Sequence, residues 1–216
     1  MTHNKAFTLA ELMVGLMLTA AIGLTTAILA SGLSSANAQT NALTESVQSA
    51  RIGFSRLDSL IRRSQLVVNI GSDQFTVWLG DANGDKLMNL AELVQVYYDP
   101  SGKAIHSRQV QFPVDNATTR ALNVPSTLAQ ATASYVANLE TQAIYAGYLS
   151  DQVLADKVTG FSVQVNQAAP YARRVAMRVT IGSGGQQVTM GDGCVLRADQ
   201  ISKVVNAGGV PTLNLN

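Results

Sequence analysis

Between Phe7 and Leu33 the chain reads FTLAELMVGLMLTAAIGLTTAILASGL, an apolar run in which Glu11 is the only charged residue. At about 1.5 Å per helical residue, a run of this length crosses a hydrocarbon core of about 30 Å. Roughly ten Leu, Ile, Val and Phe side chains contribute about −0.3 to −0.6 kcal/mol each, whereas one carboxylate costs about 3 kcal/mol at mid-membrane and less near an end. The segment therefore inserts in spite of Glu11. Lys5, His3 and the initiator amine make the preceding stretch the more positive flank, which sets the N-terminus in the cytoplasm and the remaining chain outside. A secretory signal has a shorter apolar region cut on its far side after small residues, and Ala36 and Ala38 leave that reading open. Glu11 weighs against it, because a carboxylate inside an apolar run is costly and does nothing for a segment about to be discarded.

After Leu33 the chain turns polar, yet Leu43, Val47, Ala50, Phe54, Leu57 and Ile61 recur at alternating spacings of four and three. That is the stripe of an amphipathic helix. With no proline between the two patterns, one long helix is expected, lipid-facing in its first half and core-facing in its second. Arg62 and Arg63 fall in its last turn, where cations favour the negative end of the helix dipole.

Beyond residue 65 the period becomes two. Leu66–Ile70, Gln74–Gly80, Glu92–Asp99 and Lys103–Val114 are rich in β-branched and aromatic residues and are separated by turn residues such as Asp99-Pro100-Ser101-Gly102. Residues 160–166, 173–182 and 186–198 read as three more strands, the last two joined across Gly182-Ser183-Gly184-Gly185. Between Asn116 and Lys157 the pattern is less regular, with helix expected around Thr127 to Glu140.

Composition narrows the function. Charged residues make up 13% of the chain and the formal net charge is +1, so no bulk field suits a nucleic-acid backbone. Cys194 is the only cysteine, which excludes an internal disulfide and a cysteine-built zinc site. His106 has no second histidine outside the N-terminal stretch, so a metal site or a Ser-His-Asp relay has little to draw on. Trp78, Tyr97 and Tyr98 stand in strands and read as core or cross-strand partners, Cys194 as a packed small hydrophobe, and Asn116-Ala117-Thr118 fits a glycosylation acceptor by spacing alone. No enzyme is indicated.

The stretch Lys5-Ala6-Phe7-Thr8-Leu9-Ala10-Glu11-Leu12-Met13-Val14 resembles the type III signal of type IV pilins and type II secretion pseudopilins. The resemblance implies that a prepilin peptidase cuts between Ala6 and Phe7, that Phe7 becomes the N-methylated amino terminus, and that Glu11 is the glutamate at the fifth place of the mature chain. Ala6 stands where that family usually has glycine, and Ala10 where it usually has isoleucine. Independently of the resemblance, a carboxylate in lipid must be neutralised by a proton or a partner. The freed amine of Phe7 on a neighbouring subunit is a suitable cation, and such a pair sets the axial register of subunits; the other reading is that Glu11 snorkels to the headgroups of a simple anchor. Leu154-Ala155-Asp156-Lys157-Val158-Thr159-Gly160-Phe161, followed by Arg173-Arg174-Val175 and a last strand near Arg197, resembles the larger minor subunits of the PilW and GspJ kind.

The fold expected from this is α+β and pilin-like, a long N-terminal helix packed on an antiparallel β-sheet head. Its parts are a leader (1–6), a transmembrane and assembly half of the helix (7–33), an amphipathic half (34–64) and a β-rich head (65–216). The expected function is a minor pilin or pseudopilin of a type IV pilus or type II secretion pseudopilus. Its partners are then other pilin or pseudopilin subunits, the prepilin peptidase, the inner membrane and the assembly platform, with the head extracytoplasmic. The alternative is a single-span, membrane-anchored extracytoplasmic binding module.

One constellation points to a ligand. In Asp81-Ala82-Asn83-Gly84-Asp85-Lys86-Leu87-Met88-Asn89-Leu90-Ala91-Glu92, side-chain oxygens of Asp81, Asn83, Asp85, Asn89 and Glu92 take the first, third, fifth, ninth and twelfth places of an EF-hand loop, and Leu87 supplies the carbonyl at the seventh. Calcium suits that donor set. Lys86 stands where such a loop has glycine, and strands are expected on both sides instead of helices. The competing reading is a polar loop whose Asp and Asn side chains cap its own turns.

Overall fold

In the computed structural model, residues 8–112, 117–128, 145, 147–183, 186–196, 198–207 and 210–214 are described. Ala6, Phe7, Asn116 and the helix expected around Thr127 to Glu140 lie outside these residues, apart from Thr127 and Leu128. The protein is α+β, with one long apolar N-terminal helix and antiparallel sheets.

Helix α1 runs from Leu9 to Arg63. Contacts divide the chain into two units, residues 1–44 and 45–216. In the first unit the side chains from Thr8 to Asn41 are exposed all round the helix. Its four hydroxyl residues between Leu9 and Leu33 turn back on the helix: Thr19 donates to the Gly15 carbonyl (2.6 Å), Thr25 and Thr26 to Ile22 (2.9 and 2.7 Å), and Ser31 to Ile28 (2.9 Å). A helix that satisfies its own polar groups in this way exposes no donor that a hydrocarbon environment would leave unbonded.

In the second unit, the last turns of α1 cover a five-stranded antiparallel meander. Its strands are β1 (Leu66–Ile70), β2 (Gln74–Trp78), β3 (Leu93–Asp99), β4 (Ala104–Val110) and β5 (Leu149–Ala155), in that spatial order. A three-stranded sheet follows, made of β6 (Val158–Val165), β7 (Arg174–Ser183) and β8 (Gln186–Val195), and a two-stranded ribbon, β9 (Val204–Ala207) with β10 (Val210–Leu213), closes the chain. A six-residue helix, α2 (Ala117–Leu122), follows β4. The strands thus divide into separate sheets where one sheet was expected. The break falls at the tight turn Asp156-Lys157, where Lys157 has φ +56°.

The helical stripe supplies the core. Ala50, Leu57, Leu60 and Ile61 join Val67, Phe75, Val77, Val94, Val96 and Ile105 of the meander and Phe161, Val175, Val179 and Cys194 of the second sheet in one buried cluster, with Val47 and Phe54 packed at its margin. Each fully buried Leu, Ile, Val or Phe contributes about 1.5–3 kcal/mol relative to exposure. The opposite face of the meander buries Leu66, Val68, Trp78 and Leu93 against Met88, Leu128 and Ile201. Gly53 lets α1 approach β5 closely: a Cβ there would stand 2.6 Å from the Ala155 Cβ and 3.0 Å from the Leu154 carbonyl oxygen.

Candidate functional site

At the start of α1, Thr8 and Glu11 hold each other. The Thr8 N–H and Oγ1 each stand 3.0 Å from Glu11 Oε2, and the Glu11 N–H donates to Thr8 Oγ1 at 3.3 Å. This is a capping box, in which residues three apart satisfy each other's otherwise unbonded N–H groups at a helix N-terminus. Glu11 therefore has a local partner within its own chain, one that the Thr8-Leu9-Ala10-Glu11 spacing announces and that a reading of Glu11 for assembly alone passes over. From Leu9 onward the helix is long and apolar enough to cross a membrane, and its position near the N-terminus makes it a candidate anchor or signal sequence.

The loop from Asp81 to Glu92 is built on its own donors. Asp81 Oδ1 accepts from the Gly84 and Asp85 N–H groups (2.7 and 3.2 Å), and Oδ2 accepts from Lys86 (2.9 Å). Gly84 and Lys86 both take left-handed backbone, with φ +74° and +62°, so the turn is shared between them. Asp85 accepts from the Leu87 N–H at 2.8 Å and from the side-chain amides of Asn83 and Asn89 at 2.9 and 2.6 Å. Desolvation alone raises the Asp85 carboxyl, but the bonds from Asn89, Leu87 and Asn83 outweigh it and hold the group below the usual carboxylate range.

Glu92 closes the loop from below. It is buried in the short 3-10 turn Leu90–Glu92. Its Oε2 accepts from the Trp78 indole N–H and the Asn89 N–H, both at 3.0 Å, and its Oε1 accepts from the Ala82 N–H at 2.8 Å. In this arrangement the groups expected to suit calcium, from Asp81, Asn83, Asp85, Leu87, Asn89 and Glu92, serve the loop itself: Glu92 accepts from an indole and two backbone donors, and Asn89 presents its N–H₂ to Asp85.

A second polar cluster joins β3, β4 and β5. The Tyr97 hydroxyl donates to Asp151 Oδ2 at 2.6 Å, Arg108 donates to the same oxygen at 3.0 Å and to the Tyr97 hydroxyl, and His106 Nδ1 meets Asp151 Oδ1 at 2.9 Å. The Tyr97 and His106 rings stack with centroids 5.2 Å apart, and the Arg108 guanidinium lies 4.3 Å from the Tyr97 centroid. Burial on its own raises the Asp151 carboxyl, while the bonds from Tyr97, Arg108 and His106 prevail and hold it low. His106, read as a surface histidine, is thus tied to an acid in β5, a strand the sequence pattern did not reveal. These bonds clamp β3, β4 and β5 together.

Cys194 sits fully buried in the core, as its apolar strand implied. Burial pushes its thiol up to about 12, and Asp58 adds to the shift. A thiol of that kind is no nucleophile at neutral pH. Compared with family models, curated proteins and solved structures, the chain matches none.

Proposed function

We propose that the chain is a minor pilin or pseudopilin. In this reading a prepilin peptidase removes residues 1–6, Phe7 becomes the methylated amino terminus, and the apolar half of α1 holds the subunit in the inner membrane with its head extracytoplasmic. An assembly platform then builds it, with other pilin or pseudopilin subunits, into a type IV pilus or a type II secretion pseudopilus. The observation that carries the reading is an exposed helix that satisfies its own hydroxyls yet keeps one carboxylate, Glu11, in its first turn. The bonds from neutral Thr8 leave the carboxylate its charge, which costs free energy in lipid until a cation or a proton neutralises it. The amine of a neighbouring Phe7 is that cation, and it is supplied only in the assembled state.

A second reading draws on the same contact. Because Thr8 already satisfies Glu11, a lone membrane-anchored binding module needs no neighbour. The two readings separate in membranes: with cysteines placed at Leu12 and Leu16, a filament subunit forms specific cross-links to like or related subunits, and a lone anchor forms none. Buried Cys194 does not compete. In the filament reading Glu11→Ala inserts normally but enters filaments poorly; unimpaired incorporation removes the proposed pairing.

A further inference from the structure

Beside the last turns of α1, the helix-facing surface of the meander opens into a cleft of about 700 Å³. Arg56 and Arg63 line it from the helix, Ser107, Gln109 and Gln111 from β4 and its extension, and Gln152 from β5. Arg56 donates to the Val153 carbonyl at 3.4 Å and Arg63 to the Ser59 carbonyl at 3.3 Å. Neither pairs with a carboxylate among the described residues, in contrast to Arg62, which meets Asp58 at 2.7 Å. The described lining contains no acid. Two uncompensated guanidiniums over a concave polar surface attract anions, and the low-dielectric walls focus that attraction.

The spacing tells which anions. Helix and strand run side by side in the same sense. Gly53 lies against Ala155, the partner of Ile105, while Gln65 just past the helix bonds to Trp78, in a row that leads through Leu93 towards Val110. Arg56 and Arg63 are two helical turns apart, about 10.5 Å of axial rise. One small anion does not span that distance. Across from them Ser107, Gln109 and Gln111 alternate along a strand, so their positions repeat every 6.8 Å or so; Gln109 Nε2 donates to the Ala91 carbonyl at 2.6 Å, which leaves its Oε1 as the acceptor on that rung. An extended polypeptide presents its own peptide groups at the same repeat, and carboxylates on one of its faces stand about 7 or 14 Å apart, bracketing the two arginine stems.

We propose that this cleft binds an extended polypeptide segment of a partner protein, with acidic side chains on the face turned to Arg56 and Arg63. The peptide backbone lies along the Ser107–Gln111 ladder and the carboxylates take the guanidiniums. The inference concerns the head alone, so it stands or falls separately from filament assembly.

The test uses the full chain in detergent micelles and a fluorescent peptide of alternating threonine and glutamate, with its glutamine counterpart as control. The glutamate peptide should bind at least tenfold more tightly than the glutamine one, as expected for charge-assisted bonds. Arg56→Gln and Arg63→Gln should each weaken it about fivefold or more, with Arg62→Gln unchanged. Equal affinity for the two peptides, no binding by about 1 mM, or tighter binding of a galacturonate oligomer than of the peptide overturns the proposal. Should an arginine variant misfold by circular dichroism, the salt dependence of the parent decides: affinity for the glutamate peptide must fall with rising salt, and indifference to salt counts against the cleft.

Discussion

Replacing Glu92 with alanine strips the acceptor from three donors at once: the Trp78 indole, the Asn89 N–H and the Ala82 N–H. Trp78 is 0% and Asn89 1% exposed, so water does not reach either donor, whereas Ala82 is exposed and can turn to solvent. A buried donor left without a partner costs about 1–3 kcal/mol. Two of them, less the desolvation of the carboxylate that alanine no longer has to bury, come to about 3 kcal/mol. For a unit of this size each kcal/mol lowers Tm by about 2–4 °C, which places the expected loss near 6–12 °C. Trp78 is the only tryptophan, so thermal unfolding of the full chain in micelles, followed by its fluorescence, reports on this site without interference from the apolar helix. Glu92→Gln keeps one acceptor oxygen but turns an N–H₂ towards a donor, and should fall between parent and alanine. A Glu92→Ala protein that melts within about 2 °C of the parent, with unshifted emission, would show that the carboxylate does not hold the 81–92 loop to the core.

Other consequences are direct. Gly53→Ala forces a methyl against Ala155 and the Leu154 carbonyl, and although alanine is the better helix former, overpacking should destabilise the head by about 1–3 kcal/mol in denaturant titration. Asp151 is held below the usual carboxylate range, so its contribution is present above the unfolded value of about 3.9 and is lost as pH falls through the folded one. Melting below about pH 4 should therefore drop less steeply in Asp151→Asn than in the parent. Cys194 should resist alkylation at neutral pH in the folded protein and react at once in denaturant.

The strands with one face on the core were legible in the sequence. Phe75, Val77, Val94 and Val96 alternate with Thr76, Gln95 and Tyr97, and the helical stripe from Val47 to Ile61 points to the buried side of α1. Strand β5 was not, because it is an edge whose Asp151, Gln152 and Val153 are all exposed and interrupt the alternation. The His106 partner was hidden with it. Ribbon strands β9 and β10 are four residues each, too short for a period to register. Between β5 and β6, where one sheet ends and the next begins, stands a left-handed residue, Lys157, which no composition rule marks. The 81–92 loop shows a different limit: oxygen spacing specifies which side chains can coordinate, but it does not say whether they face a common centre or their own backbone. Here the backbone takes them, with Lys86 accepting positive φ in glycine's place.

The central claim is that the apolar helix stays with the mature chain and begins at a processed Phe7. Intact-mass and N-terminal peptide mass spectrometry of the protein recovered from membranes tests this most directly. The account predicts a chain that starts at N-methylated phenylalanine and retains Glu11; a chain that begins beyond Ala38, or one that keeps residues 1–6, contradicts it.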